Sequence, residues 1–173
     1  MQKAALGAGF TLLEILIVLG ILGILMGIGA YSYFQAINPP REVARTVHSK
    51  LIQVRTDARA NTQARRVLLT GQNLTLQSAV RCSESDPSRW SSAGAITFDE
   101  VQRSHLVTLS TASATGTPDP SLPAGAKLVV CFTSRGLAQP PAGQTLAALV
   151  VSDSRRTFNV EVALGGAVRT RVP

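Results

Sequence analysis

Glu14 stands alone near the head of an apolar run that reaches Ile37, and no other feature constrains this chain as strongly. At about 1.5 Å per residue a helix from Phe10 to Phe34 spans roughly 37 Å, enough to cross a hydrocarbon core of about 30 Å with some tilt. A carboxylate inside lipid is disfavoured by roughly 2.5–3.5 kcal/mol at a helix centre, and by less towards its end. Such a group calls for a partner. The candidate is an ammonium on Phe10, freed by cleavage after Gly9, from the same chain or a neighbouring one.

An ordinary secretory signal is the first alternative. Its apolar region runs about 7–15 residues and ends at a small-x-small cleavage site. The stretch from Ile15 to Ile37 is longer, Glu14 interrupts its front, and a cut after Ala30 puts Ile28 where a small residue is needed. An uncleaved signal anchor is the better alternative. It shares the membrane span and denies the processing.

The residues Gly9-Phe10-Thr11-Leu12-Leu13-Glu14, with the apolar helix behind them, resemble the prepilin processing site of type IV pilins and type II secretion pseudopilins. The resemblance implies that a prepilin peptidase cuts between Gly9 and Phe10 and methylates Phe10, and that Glu14 guides subunit assembly. It also implies a leader at 1–9, a transmembrane and assembly helix at 10–37, and a single-pass inner-membrane protein with its body outside the cytoplasm. From there the chain enters a pilus or pseudopilus in the periplasm or at the cell surface. The partners the resemblance implies are other pilin subunits, the peptidase and, before assembly, the membrane.

Flanking charge argues the other way. The leader carries only Lys3 and the amino terminus, while Arg41, Arg45 and Lys50 follow the span, and the positive-inside rule then favours the opposite orientation. Here the prepilin resemblance is given precedence. Within the span Gly20, Gly23, Gly27 and Gly29 leave flat patches, and the Gly23-xxx-Gly27 pair suits close helix packing. Glycine is also common in membrane helices without any such role. Pilins often carry a proline about two-thirds along this helix; Tyr31 and Tyr33 occupy that region here and fit an interfacial belt.

Asn38-Pro39-Pro40 punctuates the helix, with Asn38 suited to cap a new one and Pro39 to begin it. Val43, Val47, Leu51, Val54 and Ala58 then recur at helical spacing as one apolar stripe. This predicts an amphipathic helix over about 41–63, within a segment 38–63, and a β-rich body over 64–173. Strands are expected at Val67–Thr70, Leu74–Val80, Ile96–Phe98, Leu106–Leu109, Lys127–Phe132, Leu146–Val151, Phe158–Ala163 and Ala167–Val172. Thr111–Pro123 and Ala138–Gln144 read as surface loops. The fold class is α+β: a long N-terminal helix packed on antiparallel sheet with one face buried.

Cys82 and Cys131 belong to no CxxC pair. Outside the cytoplasm they are expected to form one disulfide, worth roughly 4 kcal/mol for a loop of about 50 residues. Two buried thiols in neighbouring strands are the alternative.

The body more loosely resembles the GspH/FimT branch of pseudopilins and minor pilins. The segments that carry this are Val54-Arg55-Thr56-Asp57-Ala58-Arg59-Ala60-Asn61, Val67-Leu68-Leu69-Thr70, Trp90 before Ala95-Ile96-Thr97-Phe98-Asp99, Phe132-Thr133-Ser134-Arg135-Gly136, and Phe158-Asn159-Val160-Glu161-Val162 through Gly165-Gly166-Ala167-Val168-Arg169-Thr170-Arg171. That resemblance implies a helix packed on two β-sheets and a low-abundance place in a filament.

No phosphate-binding glycine loop, zinc spacing or nucleophile elbow occurs, so neither catalysis, a cofactor nor a metal is expected. Ser104-His105 near Asp99 and Glu100 holds hydrolase residue types, yet sequence neighbours seldom make a spatial triad. His48 reads as a half-buried or exposed helix side chain. The formal charge is +7, and losing Lys3 leaves 16 basic residues against 10 acidic, or +6. A basic body invites an acidic partner such as DNA or anionic lipid, or is simply a solvated surface. Arg155, Arg156, Arg169 and Arg171 flank the last hairpin and are the candidate DNA-binding edge. Some FimT-type pilins act in DNA uptake and carry basic residues near the C-terminal end. This chain departs from their tighter Gly-Arg-x-Arg pattern, because Ala167-Val168 precede Arg169. Few aromatics besides Trp90 lie beyond the apolar helix, so base stacking is not an evident mode. Three roles stay open: pilus subunit, DNA-binding minor pilin, and secretion pseudopilin.

Overall fold

The computed structural model describes residues 11–36, 39–98, 107–111 and 121–172. It divides into two units, one up to Asn38 and one from Pro39 onward. The first holds α1, Leu12–Ala36, apolar on every side from Leu12 to Gly29 apart from Glu14 and exposed throughout that stretch. Among the described residues it is the one helix long and apolar enough to cross a membrane.

The second unit opens with α2, Pro39–Ala60. The expected stripe Val43, Val47, Leu51, Val54 and Ala58 is buried, joined by Pro40 and Ala44. The helix begins two residues before the expected start, because a proline is tolerated in a first turn whose N–H groups lack intrahelical partners. It ends three residues early. Gln63 N–H donates to Ala58 O and Thr62 N–H to Arg59 O, at 3.1 and 3.3 Å. Those two bonds make a Schellman ending, with Thr62 in the left-handed region at φ 52° where glycine is usual.

Among the described residues nine strands follow: β1 Ala64–Thr70, β2 Asn73–Ala79, β3 Ser91–Ile96, β4 Thr108–Thr111, β5 Ala126–Phe132, β6 Ala138–Gln139, β7 Ala147–Ser152, β8 Thr157–Val162 and β9 Val168–Arg171. All ladders are antiparallel, in two sheets ordered β3-β2-β1-β5-β6 and β4-β7-β8-β9. The strand expected at Ile96–Phe98 instead runs Ser91–Ile96, and it starts early because Ser91 and Ser92 pair with Ser78 and Gln77 of β2. Part of the loop expected at Ala138–Gln144 is strand: Ala138 and Gln139 pair with Phe132 and Cys131. Most of the Thr111–Pro123 expectation falls outside the described residues.

One hydrophobic core forms between α2 and the facing sides of both sheets. Val67, Leu69, Leu74, Val130 and Phe132 come from the first sheet, and Leu109, Leu149, Val151, Phe158, Val160 and Val162 from the second. Alternate residues of β8 follow the buried-in, exposed-out rule: Phe158, Val160 and Val162 face in, while Thr157, Asn159 and Glu161 face out. A smaller cluster of Ala64, Ala79, Trp90 and Cys131 lies on the other face of the first sheet, where alternation along β1 points Ala64 away from Val67.

Candidate functional site

Thr11 starts α1. Its Oγ1 accepts from the Glu14 N–H at 3.2 Å, and its carbonyl accepts from Glu14 and Ile15 N–H at 3.1 and 3.3 Å. Thr-x-x-Glu is the arrangement of a capping box, and it sets a carboxylate where the first turn of a helix carries partial positive charge. The local backbone therefore offsets part of the penalty for an acid in this segment. Gly23 and Gly27 sit one turn apart on the same helix, with no atom within 4 Å of where a Cβ would stand. Gly9 and Phe10 lie outside the described residues, as do the side chains of Tyr31 and Tyr33 and all of Asp99, Glu100, Ser104 and His105.

On the body, a joint forms where α2 meets the ends of both sheets. Arg55 Nε donates to Gly136 O at 3.0 Å, and its second guanidinium nitrogen donates to Gly165 O at 3.1 Å. Gly136 closes the turn between β5 and β6; Gly165 lies in the β8–β9 turn. Ala138 N–H also donates to Leu164 O at 2.9 Å, tying the two turns directly. Gly166, at φ 80°, comes so close that a Cβ there would stand 2.2 Å from Gly136 O. At the opposite end Gln72, in the β1–β2 turn, accepts the Leu109 N–H at 2.6 Å and fastens the first sheet to β4. Sequence reading singled out neither arginine nor glutamine for this. The usable signal was the position of Arg55, four residues after Leu51 at the border of the apolar stripe, together with the glycines of two turns.

The smaller cluster is built on Arg66, which is 3% exposed. Its guanidinium lies 3.8 Å over the Trp90 ring, donates to Gln77 Oε1 at 2.8 Å and holds Ser121 through both hydroxyl and carbonyl oxygens. Trp90 Nε1 donates to Glu84 O at 3.1 Å. The expected Cys82–Cys131 disulfide is present and pins the segment before Trp90 onto β5. Within that segment Asp86 accepts from the Ser88 hydroxyl and N–H, at 2.7 and 2.9 Å. Those bonds hold its carboxyl below the usual aspartate range.

The four candidate arginines gather at one sheet but do not form a purely basic edge. Arg155 and Arg156 lie in the β7–β8 turn, where their N–H groups donate to Asp153 Oδ1 at 2.8 and 2.6 Å. Arg169 and Arg171 face outward on β9, opposite Glu161 and Asn159. Arg171 pairs with Glu161 at 3.3 Å. His48, half-buried on α2, meets Thr170 Oγ1 at 3.2 Å on the inner face of the same strand. Among the described residues no three His, Cys, Asp or Glu side chains gather in a metal-binding group.

No family model matches this sequence, nor does any curated protein. Among solved structures the chain is similar to the minor pseudopilin EpsH from the type 2 secretion system of Vibrio cholerae. The TM-score is 0.52 at 14% identity, over 79% of this chain and 98% of that one. The N-terminal apolar helix, second helix and paired antiparallel sheets are thus a pilin-like fold, shared with a minor pseudopilin.

Proposed function

We propose that this chain is a pilin-like structural subunit, a minor pilin or pseudopilin, that is cut after Gly9, methylated on Phe10 and packed into a filament through α1. The observation that carries the reading is the order of parts along one chain. A lone carboxylate in the first turn of an exposed apolar helix precedes a body with the fold of a minor pseudopilin. Glu14 neutralises the Phe10 ammonium of the same or a neighbouring subunit, and Gly23 and Gly27 let helices approach. The chain first sits in the inner membrane with its body outside the cytoplasm. The Cys82–Cys131 bond supports that side despite Arg41, Arg45 and Lys50, since disulfides persist in oxidising compartments. The role is structural rather than catalytic, without a cofactor.

Mass spectrometry of the native amino terminus tests the processing, with a chain beginning at N-methylated Phe10 expected. Glu14→Ala is expected to leave membrane insertion intact and to remove the chain from sheared filaments. A cellular form beginning at Met1, or normal incorporation of the alanine variant, overturns the proposal.

The likeness to a secretion pseudopilin favours a pseudopilus over a long pilus. A DNA-binding minor pilin is the second reading, supported by the exposed Arg155, Arg156, Arg169 and Arg171 at one sheet and weakened by Glu161 and Asp153 among them. Mobility shifts of the full chain over a salt series decide it: steep salt dependence, lost on arginine-to-glutamate change, is expected of phosphate binding.

A further inference from the structure

The body exposes five large apolar side chains among the described residues: Ile52, Val80, Leu137, Leu164 and Val172. Leu137 and Leu164, at 49% and 55% exposed, crown the joint that Arg55 closes. Leu137 follows Gly136, Leu164 precedes Gly165, and their segments share the Ala138–Leu164 hydrogen bond. Arg59 lies directly over Gly136, with its Cδ 2.6 Å from where a Cβ would be, and exposed Arg135 precedes that glycine. Ile52 stands one turn before Arg55 on the same flank of α2, 45% exposed. Apolar side chains with Arg59 and Arg135 beside them, on turns tied to each other and to α2, make a preorganised surface, which reduces the ordering entropy lost on docking.

The charge pattern specifies the occupant. The described carboxylates of the body are Glu42, Asp57, Glu84, Asp86, Asp153 and Glu161. Five already pair with arginines of the same chain, and Asp153 caps two backbone N–H groups. A second copy carries the same excess of basic over acidic residues, 17 against 10, and so brings this surface mostly like charge. We infer that the Arg59–Arg135–Leu137–Leu164 surface docks a different filament subunit, one presenting apolar side chains beside uncommitted carboxylates. This rests on the filament reading above and adds to it a face and a partner chemistry.

The test places a photo-crosslinking phenylalanine analogue at Leu137 or Leu164 of the full-length chain in its own cells, with the same probe at Val80 as reference. Adducts are identified by mass spectrometry, and the chain is assayed separately in sheared filaments. Adducts at Leu137 and Leu164 with a distinct, acid-bearing subunit are expected. Changing Arg59 and Arg135 together to glutamate is expected to cut their yield about fivefold, the loss of two exposed ion pairs. Disulfide content and Trp90 fluorescence confirm that the variant is folded. Adducts only with a second copy, a yield equal to that at Val80, or indifference to both charge reversals overturns the inference. If such a result comes while the chain is still in filaments, the docking surface fails and the subunit reading stands. Absence of the chain from filaments ends both.

Discussion

Gly166 and Gly136 meet so closely that a single methyl group on the first would stand 2.2 Å from the carbonyl oxygen of the second. They are thirty residues apart in sequence and belong to turns of different sheets. Arg55 occupies the same spot, with its Nε only 2.6 Å from that imagined methyl. The joint is thus closed by residues drawn from three segments far apart in the chain, and it leaves no room for a side chain at Gly166.

Gly166→Ala is therefore expected to destabilise the body by about 3 kcal/mol or more, from left-handed backbone and backbone collision together. Gly143→Ala is the matched comparison, since it also has positive φ but open space around it, and about 1 kcal/mol is expected. Denaturant unfolding of the two variants measures the difference. Equal losses refute the account of the joint.

Arg55→Lys keeps the charge but not the fork that reaches two carbonyl oxygens. A loss of about 1 kcal/mol or more is expected, because lysine cannot serve both the part-buried Gly136 carbonyl and the exposed Gly165 carbonyl with the same geometry. Hydrogen exchange is expected to rise at Ala138 and Gly166 N–H, both bonded within this joint. Unchanged protection at both amides counts against the clamp.

Thr62 carries a β-branched side chain at φ 52°. Thr62→Gly is expected to stabilise by about 1 kcal/mol, since relief of the left-handed strain outweighs the greater freedom of glycine when unfolded. A lower unfolding midpoint for this variant disproves the strain argument.

Removing the bond with Cys82→Ser and Cys131→Ser is expected to lower stability by about 4 kcal/mol, the chain-entropy value for a separation of 49 residues. Trp90 packs in the same cluster as Cys131, so its fluorescence reports the change locally. An unchanged emission spectrum on reduction contradicts that packing.

Asp86 titrates below the ordinary aspartate range because the Ser88 hydroxyl and N–H both bond its charged form. A lowered native value means stability that is present above the unfolded pKa of about 3.9 and lost as pH falls through the folded one. Ser88→Ala removes the larger of the two bonds. An upward move of the Asp86 carboxyl titration by NMR is expected, and no move rejects the assignment.

How much of this was legible in the sequence depends on the range of the interactions involved. The α2 stripe from Val43 to Ala58 and the alternation Phe158, Val160, Val162 are local periodicities, and the structure buries all of them. The β3 strand begins at Ser91 without apolar alternation, because the ladder of β2 makes it a strand rather than its own side chains. The two-residue β6 is similar, being defined wholly by Cys131 and Phe132. Arg66 stands just before the β-prone run that starts at Val67, and its burial against Gln77, Trp90 and Ser121 rests on contacts distant in sequence. The last hairpin shows the same limit on function. The arginines were visible as a group, whereas the Glu161–Arg171 pair depends on a register that emerges only when β8 and β9 align.

Arg55 also has a mechanical consequence. Tension applied along α2 is delivered at once to the β5–β6 turn and the β8–β9 turn, through bonds spanning 81 and 110 residues of chain. Peeling either turn away from the helix therefore strains a guanidinium that the other turn also holds.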